Sequence, residues 1–96
     1  MNSWQNEDVE TLFDAVLSLE TREECARFFE DACTVKEILD LSQRLKVARL
    51  LKEGASYNAI SRETGASAAT ISRVSKCLEY GAGGYREVLE KLEKKQ

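Results

Sequence analysis

The chain has 96 residues, 43% of them hydrophobic and 32% charged, with a net charge of -3; that is the size and balance of one globular domain rather than a disordered segment. It contains no histidine, and its three cysteines, Cys25, Cys33 and Cys77, form no CxxC pair, which leaves too few ligands for zinc and removes the commonest general base and the familiar triads. No metal, no cofactor and no enzymatic activity are therefore expected. With no apolar run of bilayer length and an acidic, polar start, "MNSWQNEDVE", the chain reads as cytoplasmic, without a membrane partner.

Proline is absent and glycine occurs only five times, so long stretches lack any breaker and an all-α fold of about six helices is expected, in a single domain spanning 1–96. In the first helix Val9, Leu12, Phe13, Val16 and Leu17 recur at i, i+3, i+4, i+7 and i+8, one apolar stripe capped by Asn6. The second begins at the capping-box pattern Thr21…Glu24 and carries Cys25, Phe28, Phe29 and Ala32 on one side. Thr34…Glu37 repeats the device and opens a third helix to about Glu53. Its apolar positions, from Val35 and Leu39 through Val47 to Leu51, exceed the stripe a surface helix needs. A central helix, or one crossing a partner subunit, would account for that. Gly54 closes it.

Two short helices follow, roughly Tyr57–Thr64 and Ala68–Glu79, hinged at Gly65. Gly81, Gly83 and Gly84 mark a turn before a last helix, about Tyr85–Lys94. Charge divides unevenly along this layout. Residues 1–43 carry 11 acids and 3 bases, a net of -8, whereas residues 44–76 carry 7 bases and 2 acids, a net of +5. The basic segment suggests an anionic partner.

That segment contains "AISRETGASAATISRVSKCLEYG". Helix, tight turn, helix is the geometry that presents a recognition helix to the DNA major groove, here over about 56–79. Ile60, Ile71 and Val74 would seal the inner face, and Ser67 would cap the second helix. Ala68, Ala69, Thr70 and Ser72 would bring methyls and hydroxyls close to base edges. Arg73 follows them, and Lys76, Arg62, Lys52 and Ser56 are candidates for phosphate contact. Cys77, one turn past the base-facing residues, is expected in or near the core. Trp4 is expected to anchor the N-terminus on a dimer. A helical dimer that uses the hairpin to bind a protein is the competing reading.

The stretch "LSQRLKVARLLKEGASYNAISRETGASAATISRVSKCLEYG" resembles the Trp repressor superfamily, and within it the small Trp-repressor-related proteins of the YerC/YecD type. The most specific part is Gly65, Thr70, Ile71 and Arg73 in "ETGASAATISRVSKCL". The resemblance implies an intertwined homodimer acting as a transcriptional regulator on double-stranded DNA. It places Asn58 and Ser61, with Ala68, Ala69 and Ser72, where family members face DNA. It also implies a small-ligand pocket at Thr34, Arg44 and Arg73. Val74, however, stands where tryptophan-binding members have glycine to admit the indole. An isopropyl group there costs about 1–3 kcal/mol of overpacking, so tryptophan is not expected as the effector. A different small carboxylate could pair with Arg44 and Arg73.

Overall fold

The computed structural model describes residues 2–95, and among them the regular elements are six α-helices and no strand. They are α1 (Glu7–Leu17), α2 (Arg22–Ala32), α3 (Val35–Lys52), α4 (Tyr57–Thr64), α5 (Ala68–Tyr80) and α6 (Gly84–Lys94). The chain divides into two compact units, one through Ile38 and one from Leu39 onward. The division falls within α3.

Short-range chemistry sets most helix starts. The Asn6 side chain accepts from the Val9 N–H at 2.9 Å. Thr34 and Glu37 form the full reciprocal box, with Glu37 N–H donating to Thr34 Oγ1 at 3.1 Å and Thr34 N–H donating to Glu37 Oε1 at 2.8 Å. Thr21 likewise caps α2 through the Glu24 N–H. There Glu24 turns one residue further back and accepts from the Glu20 N–H at 3.3 Å. Each such cap satisfies a donor that the helix leaves orphaned and is worth about 1 kcal/mol.

The first unit holds α1 and α2, and neither helix has a buried residue. The apolar stripe of α1 exists as the periodicity predicts, yet Leu12, Phe13, Val16 and Leu17 are all exposed, Leu17 by 80%. Trp4 stacks edge-on to Phe13 with ring centroids 6.2 Å apart and is itself exposed.

The second unit carries the core. Val47, Ala48 and Leu50 of α3 meet Ile60 of α4, Ala66 of the following turn, Ile71 and Val74 of α5 and Leu89 of α6. The broad apolar surface of α3 is thus used at its C-terminal end, while Val35, Leu39 and Leu41 stay exposed. Arg86 secures the junction after α5: its Nε donates to the Leu78 carbonyl at 2.7 Å. Gly81 ends α5 at an ordinary φ of -81°, but a Cβ there would collide with the Cys77 carbonyl.

Among the described residues no helix is long and apolar enough to cross a membrane.

Candidate nucleic-acid interface

The helical pair α4–α5 is built from the bottom by its turn. Ser56 caps α4 by accepting from the Ala59 N–H at 3.1 Å. Gly65 ends α4 in the left-handed region, at φ 75°, which glycine adopts without the Cβ penalty of other residues. Ala66 then drops into the core, and Ser67 starts α5 by accepting from the Thr70 N–H at 3.1 Å. Side chains lock the turn further. Ser61 donates to the Ala66 carbonyl at 3.2 Å, Ala66 N–H donates to Thr64 Oγ1 at 3.1 Å, and Gln43 of α3 donates to the Thr64 carbonyl at 3.1 Å. The inner face is sealed by Ile60 and Ile71, both fully buried, with Val74 beside them.

That packing fixes what α5 presents to solvent. With Ile71, Val74 and the half-buried Leu78 turned to the core, helical spacing sends Ala69, Arg73, Lys76 and Tyr80 outward. Ala68, Ala69, Arg73 and Lys76 are exposed, while Thr70 and Ser72 are half-buried on the flanks. The Ser67 hydroxyl, besides capping, donates to Thr70 Oγ1 at 3.1 Å. Both hydroxyls are therefore engaged with each other at the helix start. On α4, Asn58, Ser61 and Arg62 are exposed together, as a helix whose Ile60 points inward requires.

The cations fall into two groups. Lys52 pairs with Glu93 of α6 at 3.4 Å, Lys46 with Glu63 at 3.9 Å and Arg49 with Glu53 at 4.0 Å. Arg62, Arg73 and Lys76 have no carboxylate partner among the described residues and lie exposed on the helical pair. Lys52 lines a cleft with Ser75, Leu78, Glu79, Arg86 and Glu90, so its ammonium faces carboxylates of its own chain.

The residues singled out for a small ligand are distributed differently. The Thr34 hydroxyl belongs to the first unit and is spent capping α3. Arg44 is half-buried and Arg73 exposed in the second unit, and neither makes an ion pair among the described residues. Val74 is 2% exposed and part of the core. Cys77 departs from expectation. It is exposed rather than in or near the core, because it sits on the side of α5 about 60° from Val74 and about 100° from Leu78, beside the glycine turn. Two tyrosines were not singled out by sequence reasoning: Tyr57, exposed at the first position of α4, and Tyr80, the last residue of α5, which is 84% exposed. The spacing 69, 73, 76, 80 was the available signal for Tyr80.

Known proteins share this arrangement. The family profile described as Trp repressor protein matches residues 7–93. The uncharacterized protein YerC of Bacillus subtilis (strain 168) is 51% identical over 88 residues, which cover 92% of this chain and 85% of that protein. A crystal structure of a candidate Trp repressor from Staphylococcus aureus superposes with a TM-score of 0.90 at 49% identity, covering 93% of this chain and 89% of that one. A TrpR-like protein from Eubacterium eligens superposes with a TM-score of 0.93 at 50% identity, covering 97% and 96%. With its six helices, its glycine-hinged pair α4–α5 and a match over nearly its whole length, the chain belongs to the Trp repressor family.

Proposed function

We propose that the protein is a sequence-specific DNA-binding transcriptional regulator of the repressor type, that it acts as a homodimer, and that L-tryptophan does not control it. The observation that carries this reading is that Arg62 of α4 and Arg73 and Lys76 of α5 lie exposed, without a carboxylate partner among the described residues, on two helices that also expose small side chains. Small residues let a helix approach base edges, and unpaired cations neutralise phosphates. Membership of the Trp repressor family supports the same conclusion. The dimer is supported by α1 and α2, which have no buried residue in the single chain although α1 carries a five-residue apolar stripe, four of whose members are exposed. Exposed apolar surface of that kind marks an interaction face. The absence of tryptophan control rests on Val74, whose side chain fills core space.

The test is selection of bound genomic fragments, combined with sedimentation of the protein at several concentrations. A two-fold-symmetric site with half-sites about one helical turn apart is expected, together with a dimer whose melting temperature rises with concentration. A stable dimer that enriches no DNA would instead favour the protein-binding use of the hairpin. A small-molecule effector, contacting Arg44 and Arg73, would show as fragments enriched only in cell extract.

A further inference from the structure

Tyr80 is the most exposed of the large apolar and aromatic side chains in the described chain, at 84%. It stands on an ordered helix rather than in a loop, and α5 ends directly after it at Gly81. Its position relative to the proposed DNA face follows from helix geometry. At about 100° and 1.5 Å per residue, Arg73, Lys76 and Tyr80 lie within about 40° of Ala69 around the axis, at about 6, 10.5 and 16.5 Å along it. One straight stripe therefore runs Ala69, Arg73, Lys76, Tyr80, passing from a methyl group to two cations to a phenol. The major groove is about 12 Å wide, and recognition helices place their N-terminal residues at base edges. On a docking in which α5 enters by its N-terminus and crosses the groove, a side chain about 16.5 Å further along lies beyond the groove floor, over a bordering sugar–phosphate backbone.

The chemistry at that position suits a neutral donor. A helix C-terminus carries partial negative charge that opposes a phosphate, and no basic residue lies in the last turn of α5. Lys76, one turn back, supplies charge where the dipole is weaker. The phenol supplies a hydrogen-bond donor and a flat apolar ring without needing a cation, a combination for which tyrosine is enriched at interfaces. Glu79, the neighbouring acid, points about 100° away around the helix, into the cleft with Lys52 and Arg86.

We infer that Tyr80 is a positioning residue for DNA: its hydroxyl donates to a backbone phosphate at the border of the groove and fixes how far α5 slides along it. This rests on the DNA-binding reading above.

The experiment compares wild type, Tyr80→Phe and Tyr80→Ala on the DNA site recovered by selection, with sedimentation of each variant alongside. A loss of about fivefold for Tyr80→Phe and tenfold or more for Tyr80→Ala is expected, with the dimer intact. A neutral donor releases no counterion, so the salt slope should stay that of wild type, whereas Lys76→Gln should make it shallower. Replacing phosphates singly by methylphosphonate should reveal one position per half-site that erases the difference between wild type and Tyr80→Phe. Equal affinities for all three proteins would overturn the inference and leave the DNA reading standing. A loss accompanied by dissociation of the dimer would overturn it too, by placing Tyr80 between subunits. If wild type recovers no DNA site, the underlying reading fails and the inference falls with it.

Discussion

The division of cations into paired and unpaired sets makes the salt dependence of DNA binding calculable. Lys46, Arg49 and Lys52 each have a carboxylate within 4.0 Å, while Arg62, Arg73 and Lys76 have none among the described residues. A homodimer then offers six unengaged cations to phosphates. Each neutralised phosphate contributes about -0.9 to the slope of log K against log salt, so a slope near -5 is expected. Between 50 and 200 mM salt that amounts to a loss of affinity of about three orders of magnitude. The assay is fluorescence anisotropy of a labelled site, titrated at five or more salt concentrations. Arg62→Gln, which removes two cations per dimer, should make the slope shallower by about 1.8. Lys52→Gln should leave it unchanged, since the Lys52 ammonium is held by Glu93 at 3.4 Å. A wild-type slope shallower than about -2 would refute the phosphate role of this face. A Lys52→Gln slope shifted as far as that of Arg62→Gln would show that Lys52 exchanges Glu93 for phosphate, and that internal pairing does not predict which cations bind.

Ser72→Glu places a carboxylate on the flank of α5 beside Ala68 and Ala69; like-charge contact costs several kcal/mol, so a loss of a hundredfold or more is expected with the circular dichroism unchanged. Unaltered binding would mean α5 does not enter the groove. Gly65→Ala meets no atom within 4 Å, so its cost is the backbone penalty at φ 75°, about 1–2 kcal/mol, less a smaller gain from the unfolded chain. Gly81→Ala has an ordinary φ but drives a Cβ onto the Cys77 carbonyl and should destabilise more; urea denaturation at one protein concentration ranks the two, and the reverse order would contradict this account. Adding L-tryptophan should leave DNA affinity unchanged, because the Val74 side chain occupies core space; a clear rise in anisotropy titrations would show that the isopropyl group does not block the pocket.

The caps were legible because their chemistry is local. Asn6, Thr21, Thr34 and Ser67 each accept from an N–H three residues on, and a window of four residues contains all the information needed; Ser56, read from the sequence only as a phosphate contact, caps α4 in the same way. The hinge at Gly65 and the inner Ile60, Ile71 and Val74 were legible for a similar reason, since spacing on two short helices leaves few ways to bury aliphatics. Inference from residue type alone failed at Cys77 and left the surroundings of Lys52 unread. Cys77 was expected in or near the core because cysteine is usually buried, but its angular position puts it on the flank. Lys52 reads as a phosphate ligand by charge, and only the approach of α6, 41 residues on, reveals Glu93 beside it. Tyr80 escaped notice because α5 was expected to stop at Glu79, one residue before the position that completes the stripe.

The first unit poses the remaining physical question. Periodicity gives α1 an apolar stripe, and the structure contains that stripe, yet α1 and α2 bury no residue. Ordering a residue costs about 1–2 kcal/mol of backbone entropy alone. Desolvating large apolar side chains such as Leu12, Phe13, Val16 and Leu17 returns about 1.5–3 kcal/mol each, but only if something covers them. Capping contributes about 1 kcal/mol per helix, too little to hold two 11-residue helices without packing. The second unit differs, since Val47, Ile60, Ile71, Val74 and Leu89 already share a core within one chain. On the homodimer reading, the hairpin that meets DNA is therefore stabilised within the chain, while α1 and α2 gain their stability from the partner. Dilution should then melt the first unit before the second, and the affinity for a two-fold site should collapse with it while each α4–α5 pair remains folded.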